Sequence, residues 1–258
     1  MPPSASIAPA EPIAALDAVE VNYPGRGRAL GPFDLAVTAG EIVALVGPSG
    51  CGKSTALRLL AALEAPSRGA ARRAVARGET SVVFQSATLA PWMSAKANVA
   101  LPLTLSGMPA PDARRRAAEA LRGVGLAGAE DARPAQLSGG MAMRASLARG
   151  LVTRPRLLLL DEPFAALDEI TRRALADDVL FLWARERPAI VFVTHNVEEA
   201  VYMAGRVVVM TPGPGRVAAE AAVHGPLPRP AGFRTSEAFR DHAETVSRLL
   251  ARAMAGPP

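Results

Sequence analysis

Residues 47–54 read Gly47-Pro48-Ser49-Gly50-Cys51-Gly52-Lys53-Ser54, which matches the P-loop pattern G-x-x-x-x-G-K-[ST]. The motif follows the apolar run Ile42–Val46 and precedes the helix-like segment Thr55–Leu63. Glycines at such positions let backbone N–H groups turn toward phosphate oxygens, and the helix N-terminus adds positive potential. We therefore expect Lys53 to reach the β- and γ-phosphates of ATP and Ser54 to be a ligand of Mg²⁺. The alternative is an ordinary Gly-rich turn between a strand and a helix.

Short apolar runs typical of buried strands alternate with helix-like segments along the rest of the chain. The strand-like runs are Leu16–Val21, Phe33–Val37, Ser81–Phe84, Leu157–Leu160, Ala189–Val193 and Val207–Met210. This alternation predicts an α/β domain on a mostly parallel sheet. We place the domain at residues 16–250, between a flexible leader (1–15) and a tail (251–258), with a mostly helical lobe at about 88–152.

Two acidic residues, Asp161 and Glu162, end the apolar run Leu157–Leu160. In open α/β sheets ligands bind beyond the carboxyl ends of the strands, where the P-loop also lies. We expect Asp161 to hold Mg²⁺ through water, and Glu162 to orient the attacking water or accept its proton. A solvated acidic pair at a strand end is the alternative.

A second candidate anion site lies between these two motifs, at the start of a helix-like segment. It reads Leu137-Ser138-Gly139-Gly140-Met141. A serine hydroxyl and two glycine N–H groups at a helix start form such a site. One chain with one nucleotide has little use for two anion sites. We therefore expect this second site to close on the γ-phosphate that the P-loop of the other chain holds in a head-to-tail dimer. A simple serine N-cap would explain Ser138 but not the whole set.

Composition narrows the function classes. The net charge is +5, but the chain has only two lysines, Lys53 and Lys96, and such arginine bias does not by itself indicate a nucleic-acid-binding face. One cysteine, Cys51, excludes internal disulfides and fits a reducing compartment. No apolar run reaches the roughly 18 residues of a spanning helix, and no secretory signal is evident. We expect a cytosolic protein that does not bind nucleic acid.

In this order and spacing, the motifs resemble those of ABC transporter ATPases over residues 16–250. In addition, Gln85 follows the Val82–Phe84 run as the family's Q-loop glutamine does, and His195 resembles the switch histidine. Ala165-Ala166-Leu167-Asp168 resembles the D-loop, and Tyr23 stands where the family stacks an aromatic ring on adenine. The resemblance implies a P-loop NTPase parallel-sheet core with a small antiparallel β lobe and an inserted helical lobe.

The same resemblance assigns the site residues. The expected catalytic residues are Lys53, Gln85, Glu162 and His195, and the expected Mg²⁺ ligands are Ser54, Gln85 and Asp161. The expected ATP contacts are Tyr23, Gly47, Pro48, Ser49, Gly50, Cys51, Gly52, Lys53, Ser54 and Thr55. Leu137 through Met141 are expected to contact the nucleotide of the partner chain, and Asp168 is the D-loop residue.

A finer resemblance is to importers of nitrate, taurine and alkanesulfonates. The segments that carry this resemblance are Leu89-Ala90-Pro91-Trp92, Leu137 through Met141, Asp161 through Asp168 and Leu227-Pro228-Arg229-Pro230. It implies a homodimer on the cytoplasmic face of the inner membrane, bound to permease subunits and served by a periplasmic solute-binding protein. The rivals are an exporter ATPase, a DNA-associated ABC ATPase and a subunit that no longer hydrolyses ATP.

Some features depart from the family pattern or stay open. Ala142 and Met143 replace polar residues expected near the dimer seam. The segment 64–80 is short, so one strand of the β lobe is expected to be missing or irregular.

Trp92 is either a permease contact or part of the lobe core. Cys51 is either an accessible, activated thiol or a buried, inert one. His224 and His242 lack metal-ligand spacing, so no zinc site is expected.

Overall fold

The computed structural model describes residues 11–25, 27–76, 78–165 and 167–255. Nine strands and seven α-helices lie within these residues. The strands are β1 (Ala14–Tyr23), β2 (Gly27–Val37), β3 (Ile42–Val46), β4 (Arg68–Arg73), β5 (Thr80–Val83), β6 (Leu157–Asp161), β7 (Ala189–Thr194), β8 (Arg206–Met210) and β9 (Val217–Ala222). The helices are α1 (Lys53–Leu60), α2 (Ala95–Leu105), α3 (Ala110–Gly123), α4 (Gly139–Leu151), α5 (Glu169–Glu186), α6 (Val197–Met203) and α7 (Glu237–Ala255).

The central sheet has six strands in the order β5-β6-β7-β3-β8-β9. Its first five strands are parallel, and β9 joins β8 antiparallel. Strands β3, β6 and β7 are buried on both faces, which is why their sequences are unbroken apolar runs. The P-loop follows β3, Asp161 is the last residue of β6, and His195 follows β7. All three therefore lie at the same edge of the sheet. The predicted parallel-sheet core is confirmed.

A second sheet, in the order β2-β1-β4, is antiparallel and packs its apolar face on α1 and the central sheet. The segment 64–80 therefore contains a strand, β4, although its pairing with β1 shifts register between Asp17 and Glu20. Strand β4 is at the sheet edge and mostly exposed, so its residues need no apolar alternation. We expected one strand of this lobe to be missing or irregular, and β4 is present but irregular.

The helical lobe consists of α2, α3 and one face of α4, packed around small and aliphatic side chains. Asn98 of α2 is fully buried and anchors the segment that enters the lobe. Its side chain accepts from Ala90 N (2.7 Å) and donates to the carbonyls of Ala90 (3.2 Å) and Met93 (3.3 Å). The entry segment is thus held against α2 by polar contacts that apolar periodicity cannot predict.

The first strand and the last helix extend past the predicted ends of the domain at residues 16 and 250. Strand β1 begins at Ala14, inside the predicted leader, because Ile13 to Leu16 pack in the core under the second sheet. Helix α7 continues to Ala255, five residues into the predicted tail. Residues 1–10 and 256–258 lie outside the described part of the chain.

The segment 227–230, which belongs to the finer resemblance, is bound to the end of α6 through Arg229. The Arg229 guanidinium is buried and donates to carbonyls at the end of α6, at 3.0 Å for Tyr202 O and 2.7 Å for Ala204 O. Burial lowers the pKa of Arg229 to about 10. Carbonyls left without partners at a helix C-terminus need donors, and Arg229 supplies them.

Candidate nucleotide-binding site

The P-loop turns sharply between β3 and α1, and two of its glycines are required by the backbone. Gly52 has φ = 100°, and a Cβ there would lie 2.7 Å from Ala29 O. Gly50 has φ = 77° with open space in front of it, so the loop presents bare backbone at that point. A loop with this conformation can approach a phosphate closely.

Lys53 lies inside the loop, with 5% of its surface exposed. Its Nζ donates to Gly47 O (2.8 Å) and Pro48 O (2.9 Å), so the side chain crosses the loop it follows. The lysine charge is therefore placed where the backbone N–H groups and the α1 N-terminus also favour an anion.

Cys51 is buried, and its Sγ lies 3.9 Å from Lys53 Nζ. Burial raises the pKa of the thiol, although the Lys53 charge opposes the rise. The thiol faces the core beneath the loop, among residues such as Val43 and Leu45. The expectation of an accessible, activated thiol is wrong, and the buried alternative holds.

Ser54 and Asp161 meet although they are far apart in sequence. Ser54 Oγ donates to Asp161 Oδ1 at 2.8 Å. Burial raises the pKa of Asp161, and the neighbouring Glu162 adds to the rise, whereas the Ser54 hydrogen bond opposes it. A hydroxyl and a carboxylate are ligands that suit Mg²⁺, which keeps several waters and also binds substrate phosphates. The donor pair therefore fits this ion.

Glu162 has a backbone conformation that few non-glycine residues adopt, with φ = 45°. Its N–H donates to Val193 O at 3.1 Å, which ties it to the end of β7. Its Oε2 lies 3.4 Å from Nδ1 of His195, the residue that follows β7. Strained backbone of this kind is often found at functional sites. The structure brings these two predicted catalytic residues together.

A cleft of about 440 Å³ opens beside the P-loop. The lining residues are Tyr23, Arg28, Ala29, Ser49, Gly50, Gly52, Lys53, Ser54, Thr55, Arg58 and Glu162. Tyr23 belongs to it, and its hydroxyl lies 3.4 Å from Thr55 Oγ1. Sequence reasoning missed Arg28 and Arg58, because single arginines on a strand and a helix carry no motif.

Gln85 is the one predicted catalytic residue whose side chain has no described contact with the rest of the site. It follows β5, whose residue Val83 pairs with Leu160, directly before Asp161. The Gln85 side chain is exposed. The loop after it is held to α4 by Arg149, which donates to Thr88 O (2.8 Å) and Ala87 O (3.1 Å).

Ser138 and Asp168 both cap helices. Ser138 Oγ accepts from Met141 N (3.2 Å) at the start of α4, and Asp168 Oδ1 accepts from Thr171 N (3.0 Å) at the start of α5. The bond from Thr171 lowers the pKa of Asp168. A Cβ on Gly140 would lie 2.9 Å from Thr171 Cγ2, so these two helix starts pack closely. Neither Ser138 nor Asp168 lines the cleft beside the P-loop.

The two departures after the signature, which is the segment Leu137 through Met141, differ in consequence. Met143 is buried in the core cluster under the sheet, so its side chain offers no surface to a partner chain. Ala142 is partly exposed on the first turns of α4. Trp92 is 75% exposed, which excludes the lobe-core alternative for it.

Comparisons with known proteins agree with this geometry. The family model described as "ABC transporter" matches residues 30–165. An aliphatic sulfonates import ATP-binding protein, SsuB 1 of Pseudomonas syringae pv. tomato, is 47% identical over 88% of this chain and 78% of its own. A taurine import ATP-binding protein, TauB of Chromobacterium violaceum, is 44% identical over 78% of this chain and 79% of its own.

A solved structure shows the same architecture. The dimeric post-hydrolysis state of the ATP-binding cassette MJ0796, bound to ADP and Pi, aligns with a TM-score of 0.73 and 30% identity. The alignment covers 82% of this chain and 99% of that one. Among the residues that the structure describes, none of the helices combines the length and apolar character needed to span a bilayer.

Proposed function

Because the chain belongs to the ABC transporter family and is its ATP-hydrolysing subunit, we propose that it powers uptake of a small sulfonate-like anion through a separate permease. The observation that carries the catalytic part is the convergence at one sheet edge. The P-loop, the Ser54–Asp161 pair and the Glu162–His195 pair all follow neighbouring parallel strands. This arrangement offers a phosphate site, an ion site and a base within one cleft.

Each residue has a distinct role in the proposed mechanism. The P-loop backbone and Lys53 hold the phosphates, and Tyr23 packs against the base of the nucleotide. Ser54, Asp161 and Gln85 would hold Mg²⁺, which neutralises phosphate charge when bound. Glu162 orients a water or takes its proton, and His195 fixes the Glu162 carboxylate from the other side.

The second half of each site comes from a second copy of the chain. Ser138 and Gly139 begin α4 outside the cleft, and the space in front of Gly139 is open. Their N-terminal position on a helix suits an anion that another chain supplies. We place them on the nucleotide of a head-to-tail partner, with Asp168 beside the seam.

Ser138→Arg should inactivate the enzyme by damaging the partner's site, whereas Lys53→Ala damages the chain's own site. Mixing these two inactive variants should partly restore phosphate release, because each mixed dimer contains one intact composite site. Full activity of Ser138→Arg alone would contradict the composite site. Mixing each variant with itself is the control, and it should stay inactive.

The transported solute and the other subunits follow from the relatives rather than from this chain's geometry. Both named relatives are import ATP-binding proteins, which favours import over export. The exposed Trp92 lies between the Gln85 loop and α2 and is the residue we assign to the permease contact. A DNA-associated role is disfavoured, because only 84 residues separate Lys53 from Ser138, and those that the structure describes form short strands and helices and no coiled coil. A periplasmic solute-binding protein would deliver the substrate to the permease.

A strain of the source organism that lacks this chain should grow on sulfate but poorly on taurine or short alkanesulfonates as the only sulfur source. Wild-type chain should restore growth, and Lys53→Ala should not, because import requires hydrolysis. Measuring uptake of labelled taurine separates import from metabolism. Normal uptake of taurine and of alkanesulfonates in the deletion strain would contradict the proposed solute class.

A further inference from the structure

Three polar side chains, those of Thr194, Asn196 and Glu199, hold the residues on either side of His195 and do not line the cleft beside the P-loop. The Thr194 hydroxyl donates to Glu199 Oε2 and accepts from Asn196 N at 3.0 Å. The Asn196 side chain in turn caps α6 by accepting from the N–H groups of Glu198 (2.8 Å) and Glu199 (3.2 Å). Both neighbours of His195 in sequence are therefore fixed to the start of α6, with Glu199 bonded to Thr194.

Glu199 also faces α5. Its Oε1 lies 3.3 Å from Arg172 Nε, and the same arginine donates through Nη2 to Leu167 O at 2.8 Å. Leu167 directly precedes Asp168. One arginine thus contacts the D-loop backbone on one side and the carboxylate that holds Thr194 on the other.

The Arg172–Glu199 pair is more enclosed than its neighbours. Its side chains are 25% and 11% exposed, whereas those of the adjacent Arg173–Glu169 pair are both 55% exposed. Burial raises the pKa of Glu199, against the opposing effects of Thr194 and Arg172. A partly buried ion pair is weak evidence for stability, but it can fix the relative position of the two elements that it joins.

We propose that Arg172 and Glu199 are positioning residues: they hold His195 against Glu162 and join that contact to the backbone that precedes Asp168. The inference rests on the proposed roles of His195 and Glu162. Neither positioning residue touches nucleotide in this scheme. A movement of the D-loop at the dimer seam would reach the His195–Glu162 pair through this ion pair.

Nuclear magnetic resonance of the histidine rings tests the positioning directly, without reference to activity. The chain has three histidines, His195, His224 and His242, so the His195 signal can be assigned with His195→Ala. Glu199→Gln and Arg172→Ala should each shift the His195 ring resonances and leave the other two in place. Glu198→Gln and Arg185→Ala change exposed charges on the same two helices and should shift none of the three.

Kinetics of the same full-length variants test the consequence. Misplacing a catalytic group by about 1 Å can cost up to roughly 100-fold in rate, so we expect kcat to fall by about 10- to 100-fold. The affinity for MgATP should stay within about twofold, since the P-loop is untouched. The double variant should be no slower than the slower single variant, because both residues act through one contact.

Arg172→Lys is a second test of the same contact, to be used if the Arg172→Ala variant does not fold. It retains a positive charge for Glu199 and should give a smaller His195 shift and a smaller loss of kcat. Unchanged His195 resonances in Glu199→Gln, or equal shifts in Glu198→Gln, would overturn the positioning inference. If the shifts occur as expected but the wild-type chain hydrolyses no ATP, the positioning stands and the proposed function fails.

Discussion

Replacing Lys53 by Ala is expected to reduce MgATP hydrolysis to background and to weaken nucleotide binding strongly. The Nζ group is enclosed by the loop and lies within 2.9 Å of two loop carbonyls, so no other side chain can take its place. Removal of a group that stabilises developing charge costs about 10²- to 10³-fold in rate, and this one also holds the ground-state phosphates. Phosphate release and binding of a fluorescent ATP analogue measure the two effects.

The second lysine supplies the matched control. Lys96 Nζ pairs with Asp131 Oδ1 at 2.8 Å on the helical lobe, and it does not line the cleft. Lys96→Ala should therefore retain the wild-type rate. Thermal unfolding of both variants should be compared, because Lys53 also bonds the loop backbone. Robust hydrolysis by a folded Lys53→Ala variant would contradict the assignment of the site.

The core strands could be predicted because parallel strands buried on both faces leave an unbroken apolar signal. Strands β4 and β9 could not be predicted. The sequence of β4 is RGAARR and mostly exposed, and that of β9 is VAAEAA with alternate residues exposed, so neither presents a run of large apolar residues. The start of β1 was not predicted for a related reason: Ala14 and Ala15 are buried in the core, but an Ala- and Pro-rich segment has no clear strand pattern.

The candidate site was predictable wherever one short motif contains the chemistry. The direction in which a side chain points was less predictable, as Cys51 and Met143 show, because a local motif does not specify what packs behind it. The Arg172–Glu199 pair was missed altogether. In sequence each looks like a surface charge on an amphipathic helix, and only the packing of α5 against α6 brings them together.

Replacing Glu162 by Gln should stop turnover while leaving MgATP bound. The change removes the base but preserves the size of the side chain, so the Glu162 N–H bond to Val193 O and the strained φ of 45° can both persist. The Ser54–Asp161 pair at 2.8 Å is also unaffected. Loss of a general base lowers rates by about 10²- to 10⁴-fold, so a dimer that binds ATP should accumulate because it cannot reopen by hydrolysis.

Size-exclusion chromatography with and without MgATP measures that accumulation. We expect the Glu162→Gln chain to elute as a dimer only with MgATP, and the Glu162→Gln/Ser138→Arg double variant to remain monomeric, because the signature contact is lost. Glu198→Gln, which neutralises an exposed carboxylate on α6, should hydrolyse ATP at the wild-type rate. A Glu162→Gln chain that binds MgATP but stays monomeric would contradict ATP-driven head-to-tail closure.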